Sequence, residues 1–258
     1  MLSLQPWKIL FFVIAGLTIL SLAILWNLTS TVAAQPNSSA QRTPIIVELF
    51  TSEGCSSCPP ADAVLAELES KQPVANAQII ALGEHVDYWN YLGWADPYSA
   101  AIFGERQQAY AQSLNANTYT PQMVIDGKAE FVGSNTSKAL AAIAKAASAP
   151  KAKLEITKTA PDKIKVIASE LPPSSGKPDI VLAITENNLS TNVSRGENAG
   201  RRLNHRTVTR SLNVIGQFPS AEAAITIDKS WKRENVRIVA FLQERNSRRI
   251  LGAAMIAL

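Results

Sequence analysis

An α/β fold followed by an antiparallel β-rich half is what this sequence predicts, and three observations predict it. The first is Cys55-Ser56-Ser57-Cys58, which holds the only two cysteines among 258 residues. It lies between an apolar run, Ile45 to Phe50, and a helical pattern, Ala61 to Ser70, that puts Val64, Leu65 and Leu68 on one face. The second is a continued alternation of strand and helix patterns as far as Ala147, closed by Pro150. The third is a change of texture beyond Pro150. There Leu154 and Ile156, then Ile164, Val166 and Ala168, alternate with polar residues.

In chain order, the first element is an export segment over residues 1–34. Lys8 precedes a charge-free apolar stretch, Ile9 to Trp26, and Val32-Ala33-Ala34 fits a signal-peptidase site. The stretch also reaches the ~18 residues that begin to suggest a spanning helix, so a cleaved signal peptide and a membrane anchor are the two readings. Either exports the body of the protein, to the periplasm or beyond, where disulfides persist. Residues 35–43 are a polar linker with Pro36 and Ser38-Ser39.

The first domain is expected over residues 44–149. Its strands are Ile45–Phe50, Gln78–Gly83, Gln122–Asp126 and Lys128–Val132; its helices are Ala61–Ser70, Pro97–Leu114 and Thr136–Ala147. Asp126-Gly127 between apolar runs is a hairpin signal. This order, with C-x-x-C between the first strand and helix, is a thioredoxin-like arrangement. Residues 150–258 are expected to form an antiparallel β-sandwich-like domain. Its further strands fall at Ile180–Thr185, Arg206–Leu212, Ala224–Ile227, Val236–Gln243 and Ile250–Ile256.

The net charge is +4, with basic residues gathered between Arg195 and Arg249. Few aromatics interleave them, so a nucleic-acid partner is not expected. The chemistry is read from the cysteines. A thiolate is the attacking species in disulfide exchange, and a helix start favours it through unpaired N–H groups and the dipole. Cys55, further out of the helix, is the expected nucleophile and Cys58 the resolving thiol. Auxiliary candidates are Glu53, two residues before Cys55, and His85 and Asp87, which follow the second strand onto the same rim. Thr120-Pro121 opens the antiparallel third strand at that rim, where a cis bond facing the cysteines is expected. The block Gly196 to His205, with Arg201 and Arg202, reads as a loop entering a strand, which caps this rim, binds an anion or serves only as an inter-domain structural loop.

The string from Val47 to Asp62 resembles the signature of an exported bacterial family of unknown function, domain of unknown function 1223, within the thioredoxin-like superfamily. His85-Val86-Asp87-Tyr88-Trp89, Tyr119 to Val124, and Gly196 to Gly200 with Leu203-Asn204-His205 resemble its other recurring blocks. The resemblance implies a thioredoxin-like fold and says little of substrate. The departures from thioredoxin proper are Ser-Ser between the cysteines and no Trp before Cys55. The expected function is thiol–disulfide oxidoreduction on protein or small-molecule thiols and disulfides, without a cofactor. A binding module with a static Cys55–Cys58 bond is the alternative. A metal-binding protein is a third reading, although no second Cys/His pair at metal spacing accompanies the cysteines.

Overall fold

A computed structural model describes residues 42–174 and 176–258. The strand before the cysteines, β1 (Thr43–Thr51), is apolar on both faces. Ile45, Val47 and Leu49 enter one hydrophobic cluster and Ile46 and Phe50 another, all 0% exposed. Such a strand belongs inside a sheet covered on both sides. Helix α1 (Pro59–Lys71) follows the cysteines and buries Ala61, Leu65 and Leu68 on the first face. β2 (Ala77–His85) then pairs parallel to β1. Helix α2 (Ala101–Leu114) covers the second face through Phe103 and Tyr110. β3 (Gln122–Ile125) runs antiparallel to β1 and pairs with β4 (Ala129–Val132). Helix α3 (Thr136–Ala147) returns to the first face through Ala139 and Ile143. In the β3–β4 turn Asp126 and Gly127 both have positive φ, 49° and 64°. A side chain at Gly127 would strike the Arg248 carbonyl, so only glycine fits there.

Beyond α3 the described residues form nine strands joined by loops: β5 (Lys153–Ala160), β6 (Lys163–Ser169), β7 (Asp179–Glu186), β8 (Leu189–Asn192), β9 (Arg202–His205), β10 (Val208–Gln217), β11 (Ser220–Ala224), β12 (Val236–Gln243) and β13 (Ile250–Ala257). Eleven strands form one mixed sheet in the order β13-β12-β7-β10-β2-β1-β3-β4, with β11, β6 and β5 branching from β10. β8 and β9 pair separately as a hairpin.

The expected thioredoxin-like α/β domain with a separate antiparallel sandwich-like domain is therefore not what the chain forms. Of the described residues, 41% are strand and 21% helical, and together they form one compact unit. The physical reason lies at the edge of β2. Its backbone is met by β10, with Val208 opposite Gly83 and Gly83 N donating to Thr207 O at 2.8 Å. A free strand edge presents unpaired N–H and C=O groups; here the second half satisfies them. The shared core follows from the shared sheet: Ile46, Phe50 and Leu82 pack in one cluster with Val181, Val239 and Phe241.

Local differences are smaller. α2 starts at Ala101 rather than Pro97, and the strand expected at Ala224–Ile227 is instead β11, ending at Ala224. The β8–β9 hairpin was not expected; its strands have only four residues each. The export segment lies outside the described residues, among which no helix is long and apolar enough to cross a membrane.

Candidate functional site

Cys55 and Cys58 are joined by a disulfide, with Cα atoms 5.4 Å apart. Cys58 is the N-cap of α1, and Pro59 and Pro60 fill the next two positions. Proline suits a first turn because its φ is preset and no N–H is needed. Each proline also deletes a donor. The next two N–H groups, of Ala61 and Asp62, both bond Cys58 O, at 2.8 and 3.1 Å. Cys55 sits in the turn before the helix, not at its start. The helix therefore offers a thiolate fewer free donors than its position alone implies. The group that faces the sulfur is Ser57 Oγ, 3.3 Å from Cys55 Sγ. Both cysteines are buried, 1% and 0% exposed, while Ser56 and Ser57 are exposed.

A distant segment covers this turn. Buried Asn198 donates through Nδ2 to the carbonyls of Glu53 and Cys55, at 2.8 and 3.0 Å. Arg201 Nη1 donates to Asn198 Oδ1 at 2.8 Å and so holds the amide in place. Glu197 Oε2 accepts from Ser56 N at 2.9 Å. Gly196 has φ 74°, and a side chain there would press on Trp94 Cβ. The Gly196–His205 block thus lies on the cysteine turn. Of its arginines, Arg201 acts on Asn198, and Arg202 donates to Ser190 Oγ.

Beneath the turn lies a buried network of acids and imidazoles. Glu53 Oε1 is 2.8 Å from His205 Nε2, and Glu53 Oε2 accepts from Trp94 Nε1 at 2.9 Å. Glu53 N donates to Asp96 Oδ2 at 2.8 Å, and the same oxygen is 2.7 Å from His85 Nδ1. The rings of His85, His205 and Tyr98 meet edge to face, with centroids 4.9 to 5.5 Å apart. The β1–β2 register, Thr51 opposite His85, brings these strand ends together. Burial works against the His85 imidazolium, but the Asp96 carboxylate, with Asp62 and Glu53 beyond it, wins and raises its pKa. Asp96 is held below the usual carboxylate range. Burial opposes this, but His85 and the N–H groups of Glu53 and Tyr98 outweigh it. Asp62, one turn after Cys58 on α1, accepts from Thr51 Oγ1 at 2.8 Å, and burial pushes its carboxyl up.

The remaining sequence candidates divide. The Thr120–Pro121 bond is cis. Thr120 Oγ1 accepts from Trp89 Nε1 at 2.8 Å, and Trp89 packs on Gly54, beside Cys55. Pro121 borders Gly133 together with Ala61 of α1 and Leu49 of β1. Asp87 turns instead toward Gly104 of α2. Asp62 and Asp96 were missed by sequence reasoning. Asp62 had a signal, its i+4 spacing from Cys58; Asp96 had none beyond lying in the polar stretch after β2. Among the described residues no group of three or more His, Cys, Asp or Glu side chains is arranged to hold a metal ion.

Residues 46–243 match the family model described as "Protein of unknown function (DUF1223)". The chain belongs to the DUF1223 family. Among solved structures it is similar to protein AGR_C_4864 from Agrobacterium tumefaciens, with 26% identity and a TM-score of 0.67, over 84% of this chain and 95% of that one. It is also similar to HBP35 of Porphyromonas gingivalis, with 17% identity and a TM-score of 0.58, over 85% of this chain and 76% of that one. This second likeness speaks to fold alone. No curated protein matches the chain.

Proposed function

We propose that Cys55 and Cys58 cycle between disulfide and dithiol, and that this DUF1223 protein exchanges thiols and disulfides with protein or small-molecule partners in an exported compartment. The observation that carries this reading is the convergence on one C-x-x-C turn of Asn198, Glu197 and a buried Glu53–His205 and Asp96–His85 network. Perturbed titratable groups gathered at one turn are a mark of functional sites.

In the reductive direction an incoming thiolate attacks Cys55 Sγ. A Cys55–S–S–R bond forms, the Cys55–Cys58 bond breaks, and Cys58 leaves as a thiolate. A second thiolate then attacks the R sulfur, releasing RSSR and the Cys55 thiolate. Two electrons pass to the protein, and the exchange runs equally in reverse. Asp62 is the carboxyl placed to trade a proton with Cys58, being one helical turn on. Ser57 Oγ is the donor placed for Cys55. Because both cysteines are buried, attack first requires the turn to open, and the Gly196–Gly200 segment bonded to its backbone opposes that opening.

The same burial favours a second reading, a binding protein with a static bond. A redox titration of the full chain separates the two. A cycling pair equilibrates within the range of known exchange proteins, whereas a structural bond stays oxidised down to about −300 mV or lower. Cys58→Ser should accumulate mixed disulfides through Cys55. Trapping by Cys55→Ser alone would reverse the roles.

A further inference from the structure

Beside the disulfide turn lies an open cleft of about 660 Å³ between α1 and the β8–β9 hairpin. Its floor on α1 is Pro59, Asp62, Ala63 and Ala66, one helix face that starts at the residue after Cys58. Its opposite wall carries Arg201, Arg202, His205 and Arg206. The size falls in the roughly 300–1,000 Å³ range of small-molecule pockets.

The charge of the cleft is one-sided. Three guanidinium groups line it, against a single acid, Asp62. That carboxyl is committed to Thr51 Oγ1. The nearby Glu69 is neutralised by Arg206, at 3.2 Å. Arg202 and Arg206 are exposed; Arg202 spends one N–H on Ser190 Oγ and Arg206 one on Glu69, which leaves each guanidinium further donors that suit a carboxylate. The wall also belongs to the segment that straps the cysteine turn, since His205 holds Glu53 and Arg201 holds Asn198. A ligand that engages these arginines therefore pulls on the segment bonded to the backbone of the cysteine turn.

We propose that this cleft is the recognition subsite for a low-molecular-weight disulfide, or its thiol, that carries carboxylates. This rests on the exchange reaction proposed above and names its substrate class. The carboxylates seat on Arg202 and Arg206, and the ligand's sulfur is presented toward the Pro59 end. In the oxidising direction the Cys55 thiolate attacks one ligand sulfur, forming Cys55–S–S–R and expelling RS⁻, which takes a proton. Cys58 then attacks Cys55 Sγ and expels the second RS⁻. The ligand gains two electrons and the protein regains its disulfide.

The test compares three probes on the reduced full chain: glutathione disulfide (anionic), hydroxyethyl disulfide (neutral) and cystamine (cationic), followed by thiol trapping. The anionic probe should react roughly tenfold faster than the neutral one, and added salt should erode the difference. Arg202→Glu and Arg206→Glu should reverse the order; Arg202→Gln and Arg206→Gln should abolish it if the reversals fold poorly. Equal rates for all three probes, or a preference that survives these variants, would overturn the subsite while leaving the exchange reaction standing. If no probe oxidises the reduced protein, the exchange reaction falls and the subsite with it.

Discussion

Two buried networks of acids and bases tie early and late parts of the described chain together, and their basic partners differ. Below the cysteine turn the partners of Glu53 and Asp96 are histidines, His205 and His85. On the second face the partner is Arg106. It donates to Glu48, to Gln243 Oε1 at 2.9 Å and to Tyr110 OH at 2.9 Å, and Tyr110 OH donates to Glu48 Oε2 at 2.6 Å. Glu84 completes this second group, 3.5 Å from Arg106. An arginine stays charged at any physiological pH, so Arg106 itself is a fixed link between α2, β1 and β12, although burial and Glu48 push the Glu84 carboxyl well above the usual carboxylate range. A histidine network adjusts its charge near neutrality. The adjustable network sits under the turn that is proposed to change state.

Breaking each network measures that contrast. Arg106→Ala should have the largest effect, because it strands Glu48 and Glu84 in the core. Loss of one partner of a buried pair costs about 3–5 kcal/mol, to be read from urea unfolding, and the loss should persist across neutral pH. Asp96→Asn should cost about 3 kcal/mol near neutrality, and this cost should depend on pH. The raised His85 pKa contributes stability that is full below the ordinary histidine value of ~6.5 and is lost as pH rises through its folded value. The lowered Asp96 pKa contributes stability that is present above ~3.9 and is lost as pH falls through its folded value. The gap between wild type and Asp96→Asn should therefore narrow at both ends of a pH series. A gap that stays constant with pH would make this network as fixed as the arginine one.

Two smaller changes probe the cysteine turn itself. Asn198→Ala removes two bonds to backbone carbonyls and should cost about 2 kcal/mol. It should also speed reduction of the disulfide by dithiothreitol, followed by thiol trapping. An unchanged rate would show that the strap does not control access. Ser57→Ala removes one donor, worth about 1 kcal/mol, and should raise the Cys55 thiol pKa. Iodoacetamide alkylation against pH reads this shift.

The two networks also mark where sequence reasoning succeeds and fails. The β1, α1, β2, α2, β3, β4, α3 succession was legible because each element has its own period and its own stops. The Gly196 block was legible as a loop, because two glycines around Glu197 and Asn198 break an otherwise strand-rich stretch, but its contact with the cysteine turn was one reading among several and nothing local fixed it. What could not be read was pairing between strands far apart. Nothing local to Val208 or Gly83 announces that they lie side by side, so one sheet was mistaken for two domains. Pro59 and Pro60 lay just outside the helix expected from Ala61, and the structure makes them its first two residues. Their cost in donors became visible only when the bonds of Ala61 and Asp62 to Cys58 O were seen. Glu48 hides in the apolar run of β1, and Arg106 stands beside Glu105 in a polar stretch of α2, where nothing labels it as buried or names its partner.

The meeting of β10 with β2 has a consequence for how the site comes into being. Asn198 reaches back 143 residues to Cys55 and His205 reaches back 152 to Glu53. Contacts that distant form late and slowly, because a long loop must close before they return any stabilisation. During synthesis the cysteines emerge long before the strap that covers them. A nascent chain that has not yet reached residue 205 presents a bare thiol pair, open to any oxidant in its surroundings. Burial of the disulfide is thus a mark of completion, conferred on the turn by the last third of the polypeptide.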